Sequence, residues 1–111
     1  METTYKGNLE LDKAGKFLEF PMSDMVSGRL QARLTTGTPW GGAVIAVDGS
    51  VTDEGPMFNE ISSGNRISEE SLSTVVDLTA LRRVRCRVFT ASSTSGAIAE
   101  LAFCAQNPNW R

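Results

Sequence analysis

The chain has 111 residues, of which 41% are hydrophobic and 22% are charged, and its formal net charge is −2. This length and apolar content suit one domain, residues 1–111, with one core. A slightly negative charge gives no general attraction to nucleic acid or to anionic membranes. No run approaches the roughly 18 consecutive apolar residues of a membrane-spanning helix. The first residues also lack the basic start and apolar stretch of a signal peptide, so we expect a protein that is made and kept in a cytosol, or carried out of the cell only as part of something larger.

The sequence offers no recognisable catalytic set. It contains no histidine and only two cysteines. The commonest general base and transition-metal ligand are therefore missing, and two cysteines alone cannot complete a tetrahedral zinc site. Serine and threonine are plentiful, but a hydroxyl without a basic partner is a poor nucleophile. We therefore predict that the protein is not an enzyme and has no catalytic residues, metal site or cofactor. The alternative is a glycoside hydrolase whose carboxylates meet only in space.

One acidic loop bears on metal binding. Asp48, Ser50, Asp53 and Glu54 place several oxygen atoms close together in the chain. They lack the alternating ligands and the closing bidentate glutamate of a helix–loop–helix calcium site. The loop therefore gives little support for a bound metal.

The first third of the chain is predicted to form short strands that are separated by glycine and proline residues. Residues 1–16 form a polar lead-in, either an N-terminal arm or an edge strand, and residues 16–20 are a second short strand that stops at Pro21. From Val26 the alternation is clean, and it predicts a half-buried strand over 26–35. The TGTPWGG segment then enforces a loop, before a nearly all-apolar run over 43–48 that predicts a strand buried on both faces.

The middle of the chain is less regular. Turn signals at Asp48-Gly49 and Gly55-Pro56 flank a possible short strand from Met57 to Ile61. The segment 72–77 predicts another strand. A helix is the alternative there, because apolar residues also recur at helical spacing. The Ser/Thr/Val-rich composition and the period-two pattern that follows favour the strand.

The stretch 81–106 has the most regular pattern. Arginines alternate with Val84, Cys86 and Val88, which predicts a strand with a small apolar inner face. A Ser/Thr/Gly loop separates it from a second alternating run, whose inner face carries Leu101 and Phe103. We expect these two strands to form a β-hairpin.

The hairpin fixes a register that can be checked. Pairing about the middle of the loop places Arg83 opposite Cys104 and Arg87 opposite Glu100. In that register Cys86 faces inward and Cys104 faces outward, because side chains alternate across a strand. We therefore expect two free thiols. Altogether the pattern predicts an all-β, single-domain, antiparallel β-sandwich of jelly-roll type with seven or eight short strands.

The arginines are the first candidate contact residues. Arg83, Arg85 and Arg87 share one face of their strand, and the outer face of the 26–35 strand adds Arg29 and Arg33. Such a face is either a solvated, partly paired surface or a protein interface, where arginine is favoured. Nucleic acid is disfavoured because no aromatic residues interleave these arginines and the chain is acidic overall.

Trp40 is the second candidate. It stands in a loop rich in glycine and proline, where a large aromatic side chain is costly to leave in water. It either folds over the core or contacts a partner or ligand. A sugar-stacking role for Trp40 or Trp110 follows from the same physics.

The order of motifs resembles that of small β-sandwich proteins of tailed-bacteriophage particles, namely capsid cement or decoration proteins and head-fibre bases. The residues that carry this resemblance are 43–49, with the Asp48-Gly49 turn, then 76–88 with its alternating arginines, and 97–103. They cover about the last two thirds of the chain. Leu81-Arg82-Arg83-Val84 stands where an aromatic residue usually precedes the arginine-bearing run, and the tryptophan that is common after the Asp-Gly turn is absent.

The resemblance implies a non-enzymatic virion protein, made in the host cytoplasm, that binds the outside of a capsid. Its partners would be the major capsid protein or another virion protein and further copies of itself, with a trimer favoured; nucleic acid and membrane would not be partners. The interface would use Arg83, Arg85, Arg87, Arg29, Arg33 and Trp40. The rivals are a carbohydrate-binding sandwich module and a phage fibre or tail adaptor piece.

Overall fold

The structure is a computed structural model that describes residues 2–107. Within that range it contains eight β-strands and one short 3₁₀ turn, Ser63–Asn65. No helix among these residues has the length and apolarity needed to cross a bilayer. The strands are β1 Glu2–Glu10, β2 Phe17–Pro21, β3 Ser27–Thr36, β4 Val44–Ser50, β5 Asn59–Glu60, β6 Ser73–Asp77, β7 Arg83–Thr90 and β8 Ile98–Gln106.

The strands form two four-stranded sheets. Sheet A has the order β1-β8-β3-β6 and sheet B has the order β2-β7-β4-β5. Every pair of neighbouring strands is antiparallel. The inner faces of the two sheets pack on each other and form one core. The predicted all-β, antiparallel sandwich is confirmed.

The predicted hairpin between β7 and β8 is wrong. β7 lies in sheet B between β2 and β4, whereas β8 lies in sheet A between β1 and β3. Arg83 is therefore opposite Ser50 rather than Cys104, and Glu100 is opposite Arg33 rather than Arg87. The loop that was expected to turn the chain within one sheet instead carries it from one sheet to the other.

Hydrogen bonds explain why this loop crosses the sandwich. The Ser92 amide donates to the carbonyl of Leu11 at 2.6 Å, and the Ser92 hydroxyl donates to the carbonyl of Trp40 at 2.8 Å. Ser92 is itself buried. The loop is thus held at the end of the sandwich by two other segments, and a tight turn would not reach them.

The inner faces of β7 and β8 are core, as predicted. Val84, Cys86 and Val88 line sheet B, and Leu101 and Phe103 face them from sheet A; each is at most 1% exposed. β4 is buried along almost its whole length, in agreement with its apolar sequence. Burial of these aliphatic and aromatic groups is the main stabilising contribution, at about 25 cal/mol per Å² of apolar surface.

One glycine in β3 is required by this packing. A Cβ added at Gly28 would collide with the ring of Phe103. Phe103 is fully buried and packs edge-to-face against Phe20 of the other sheet, with ring centroids 6.2 Å apart. Gly28 therefore makes room for the largest side chain at the centre of the core.

The segment 72–77 is a strand, so the helical alternative is excluded. β6 pairs with β3 along residues 73–77. On its other side the buried Asn65 side chain donates to the carbonyl of Val75 at 2.8 Å and to the hydroxyl of Thr74 at 3.0 Å. The amide of Asn65 thus covers part of the edge that β6 would otherwise offer to another strand.

The two cysteines are free, as expected. Cys86 is buried in the inner face of sheet B, whereas Cys104 is half-buried on the outer face of sheet A. Burial, reinforced by the negative charge of Asp48, raises the pKa of the Cys86 thiol to about 12. Cys86 therefore behaves as a small hydrophobic residue of the core.

Candidate interaction surface

The outer face of sheet B combines arginine and phenylalanine side chains. Residues 83, 85, 87 and 89 point outward from β7, because alternate side chains of a strand share a face. Phe17 of β2 is the cross-strand neighbour of Arg87. We call this surface the arginine–phenylalanine face and define it as Phe17, Phe58, Arg66, Arg83, Arg85, Arg87 and Phe89.

The centre of this face is a buried carboxylate. Asp48 lies on β4 opposite Arg85 and is 1% exposed. Arg85 donates from Nε to Asp48 Oδ2 at 3.0 Å, and Arg87 donates to both carboxylate oxygens at 2.8 and 3.2 Å. Burial alone would raise the pKa of Asp48. The hydrogen bonds and charges of Arg87 and Arg85 outweigh burial and lower that pKa below 3.8.

Arg83 lies on the predicted outer face of β7 but is not exposed, because the loop after β4 covers it. It is 8% exposed, and its guanidinium donates to the carbonyls of Thr52 and Gly55 at 2.8 Å each. It also approaches Glu19 at 3.3 Å. Arg83 therefore organises the loop after β4. This role is structural and leaves little of its side chain for a partner.

Two guanidinium groups stack on Phe58. Arg83 lies 4.5 Å and Arg85 lies 4.4 Å from the centre of this ring. Arg85 is also 5.3 Å from the ring of Phe17. Contacts at these distances are attractive cation–π interactions, each worth about 0.5–1 kcal/mol where partly exposed. Arg85 is thus held between two rings and Asp48.

A second group of contacts lies at the other end of the face. Arg66 forms a bidentate pair with Glu60, with N–O distances of 2.8 and 2.9 Å, and stacks 4.1 Å above Phe89. The hydrogen bonds from Arg66 lower the pKa of Glu60. Arg87 is 5.7 Å from the same ring. Both groups therefore meet at Arg87.

The rings are the exposed part of this surface. Phe17 is 51% exposed and Phe89 is 45% exposed. The side chains of Arg85 and Arg87 are 22% and 27% exposed. The face therefore offers two exposed apolar rings that neighbour Arg87, with Arg85 the next outward residue along β7.

Arg29 and Arg33 lie on the outer face of the other sheet. Arg29 donates to the hydroxyl of Ser73 at 3.1 Å, and Arg33 pairs with Glu100 at 3.0 Å. The side chain of Arg33 is 67% exposed. The structure thus separates the five predicted arginines into two groups on opposite sides of the molecule.

Trp40 caps the core. It is buried, and its indole Nε1 donates to the carbonyl of Ala43 at 2.7 Å. The core alternative of the sequence interpretation is therefore the one that the structure supports. A ring in this position is not available as a platform for a sugar. Trp110, the other proposed platform, lies outside the described residues.

The acidic loop is engaged with arginines. Asp48 is held by two guanidinium groups, and Asp53 forms a bidentate pair with Arg82 at 2.7 and 3.1 Å. Within residues 2–107, no group of three or more acidic or cysteine side chains is placed to hold a metal ion.

Sequence reasoning missed the aromatic half of this face. Phe17 and Phe89 stand within predicted strands, and their outward parity could have marked them. Phe58, Arg66 and Asp48 come from other segments, which only the sheet order β2-β7-β4-β5 brings together. For this second set the available signal was Asp48, a charged residue at the end of an apolar run, because a buried carboxylate requires a cationic partner.

Sequence comparisons identify no relatives: neither a known family model nor a curated protein matches the chain. Solved structures do match. The SPBc2 prophage-derived protein YomS superposes with a TM-score of 0.65 at 11% identity, over 96% of both chains. The PBSX exported protein XepA gives a TM-score of 0.60 at 8% identity, over 94% of this chain but 38% of XepA.

A third similar structure comes from another setting. The K2 cleaved adhesin domain of Lys-gingipain gives a TM-score of 0.59 at 11% identity, over 83% of this chain and 63% of the adhesin domain. At these identities the matches establish a shared fold. Two of these three structural neighbours are phage-derived proteins.

Proposed function

We propose that the protein is a non-enzymatic structural component of a tailed-phage particle, and specifically a cement or decoration protein that binds the capsid shell. The observation that carries this proposal is the superposition on the prophage-derived YomS along 96% of both chains. The order of motifs over residues 43–103 points to the same class of protein. The two chains share this fold along nearly their whole compared length.

The chemistry of the described residues fits a binding role better than a catalytic one. The buried carboxylate of Asp48 is neutralised by two guanidinium groups. Its pKa is lowered, whereas a carboxyl that acts as a general acid near neutral pH needs a raised pKa. The arginine–phenylalanine face has the composition of protein interfaces, where aromatic residues and arginine are enriched.

A cement protein acts through mass action. Because it binds the assembled shell and not the separated subunits, its binding energy favours the assembled state. Repeated contacts over a lattice, or between copies in an oligomer such as a trimer, add to this effect by avidity. The partners on this proposal are the major capsid protein and further copies of this chain, and the protein resides in the virion.

The proposal is tested on particles from the phage that encodes the chain. Deleting the gene should give particles that disrupt at a lower temperature than the wild type. Adding the purified protein back should restore the original temperature. Particles that lack the protein and resist heat equally well would contradict the cement role. Immunogold labelling of wild-type particles separates the head from the tail, and label confined to the tail would favour the adaptor alternative.

A further inference from the structure

We infer that the arginine–phenylalanine face of sheet B is the surface that docks on the shell, and that it receives a carboxylate side chain of the partner at Arg85 and Arg87, beside the exposed rings of Phe17 and Phe89. The inference rests on the proposed function, which supplies a protein shell as the partner. It specifies which face binds and the chemistry that this face recognises.

The charges of the face favour an acidic partner. Arg66, Arg83, Arg85 and Arg87 stand against three carboxylates, so that the face has one net positive charge although the chain carries −2. The excess lies at the centre, because Arg85 and Arg87 share the single carboxylate of Asp48. The three carboxylates are Glu19, Asp48 and Glu60.

The face is already ordered before it binds. Arg85 is fixed by Asp48 and by two rings, and Arg87 is fixed by both oxygens of Asp48. Immobilising a flexible side chain on binding costs conformational entropy, so arginines that are held in place beforehand bind with less loss. A planar guanidinium is also suited to receive a carboxylate in its own plane.

The exposed rings supply the apolar part of the contact. Phe17 and Phe89 are 51% and 45% exposed and flank Arg87, the first across the strand pair and the second along β7. Aromatic residues and arginine at the centre of an interface carry most of its binding energy. The partner site is therefore a carboxylate with apolar side chains beside it.

Two other occupants fit less well. A second copy that docked face to face through a two-fold axis would bring its own Arg85 and Arg87 against these, and like charges oppose each other. A nucleic acid needs several cations free to neutralise phosphates, whereas most of the positive charge here is already paired.

The experiment measures binding of purified protein to gene-deleted particles by co-sedimentation at 50 and 200 mM salt. Two variants test the face: Phe17→Ser with Phe89→Ser, and Arg85→Gln, which leaves Arg87 on Asp48. Two matched variants on the outer face of sheet A serve as controls: Val75→Ser, at a side chain that is 57% exposed, and Arg29→Gln. Urea unfolding of every variant confirms that it folds.

We expect each variant of the face to bind about tenfold or more weakly, the change typical of a central interface residue, and the controls to bind as the wild type does. Binding of the wild type should weaken between 50 and 200 mM salt, and Arg85→Gln should reduce that dependence. If the double phenylalanine variant does not fold, Arg85→Gln and its salt dependence decide alone.

The possible failures are distinct. A wild-type protein that does not bind the particles overturns the proposed function, and the inference with it. Wild-type binding that Arg29→Gln or Val75→Ser weakens, and that the variants of the face do not, overturns the inference alone. Analytical ultracentrifugation of the protein and anisotropy with a labelled DNA oligonucleotide test the other occupants. Self-association or DNA binding that is lost in Arg85→Gln assigns the face to a second copy or to nucleic acid and overturns the inference.

Discussion

The outer faces of the two sheets carry similar sequence patterns and different structures. Both have arginines among the outward-facing residues of a strand, β7 in sheet B and β3 in sheet A. On sheet B the arginines surround a buried carboxylate and stack on rings. On sheet A, Arg29 and Arg33 each make one polar contact to a neighbouring strand and extend into solvent.

This difference shows that the neighbouring strand decides what an arginine does. β4 brings the buried carboxylate of Asp48 beside β7, whereas β8 places Cys104 opposite Arg29 and the more exposed carboxylate of Glu100 opposite Arg33. The buried carboxylate holds two guanidinium groups at once, whereas each arginine of sheet A makes one contact at the exposed surface. The face of sheet B is therefore the one whose charged groups are already fixed for binding.

The largest effect should follow from removing the carboxylate of sheet B. In Asp48→Asn the guanidinium groups of Arg85 and Arg87 lose their shared anion while remaining only 22% and 27% exposed. We expect a loss of about 3 kcal/mol in the free energy of unfolding, at the lower end for breaking a buried pair because both arginines keep some contact with water. Urea unfolding at pH 7 measures it; a loss below 1 kcal/mol would show that the Asp48 pair does not stabilise the fold.

The pH dependence of the unfolding free energy should separate the contribution of Asp48 from those of the exposed carboxylates. The pKa of Asp48 is lowered in the folded protein, so its stabilisation is present above its unfolded value of 3.8 and is lost as the pH falls through the lower, folded value. Protonated Asp48 resembles asparagine. The difference in unfolding free energy between wild type and Asp48→Asn should therefore shrink as the pH falls from 6 to 3.

Urea unfolding of the wild type and of Asp48→Asn between pH 6 and pH 3 measures this difference in unfolding free energy. Asp53, Glu60 and Asp77 also have lowered pKa values, and their contributions change in the same direction with pH. The contributions of Asp53 and Asp77 are common to both proteins and cancel in the comparison, whereas the charge of Asp48 raises the pKa of Glu60, so that part of the Glu60 contribution stays in the difference. A difference that stays constant or grows below pH 4 would mean that Asp48 is not the charged partner of Arg85 and Arg87.

The corresponding change on sheet A should matter far less. Glu100 pairs with Arg33 at 3.0 Å, and the side chain of Arg33 is 67% exposed. Exposed ion pairs contribute about 0–1 kcal/mol, so Glu100→Gln should lower the unfolding free energy by less than about 0.5 kcal/mol. The same urea titration measures it, with Asp48→Asn in parallel. Equal losses in the two variants would erase the contrast between the faces.

The reactivity of the two thiols should differ between the two sheets, and measuring it does not require a destabilising substitution. Cys104 lies on the outer face of sheet A, while Cys86 lies beneath the arginines of sheet B with its pKa raised to about 12. At pH 8 a thiol reagent should label one cysteine in the native protein and two after unfolding. Cys104→Ser should leave no native label. Two fast thiols in the wild type would mean that sheet B opens readily.

Most strand positions could be predicted from the sequence, and the partners of the strands could not. The period-two pattern assigns inner and outer faces, and it located β3, β4, β6, β7 and β8 with their core residues. In a sandwich, however, two inner faces look alike in sequence, since both bury alternate side chains in the same core. The loop between β7 and β8 was therefore read as a turn within a sheet although it joins two sheets.

Only part of the candidate surface could be predicted, again because the sequence does not show which strands are neighbours. The outward parity of Arg85 and Arg87 follows from the alternation along β7. Their pairing with Asp48 depends on β4 lying next to β7, and Arg83 is covered by the loop that follows β4. The buried indole of Trp40 donates to the carbonyl of Ala43, three residues further along the chain. The composition of the loop could not show whether this ring is buried or exposed.

The order of strands also has a consequence for folding. Among the eight strands, β4 and β5 form the only pair that is adjacent both in the chain and in a sheet. Glu2 pairs with Gln106, from the opposite end of the described chain. The strand β8 is synthesised last of the eight, yet it lies between β1 and β3 in sheet A. Sheet A therefore cannot close until synthesis has passed residue 106. A topology dominated by such distant pairs is expected to fold slowly, on the order of milliseconds to seconds.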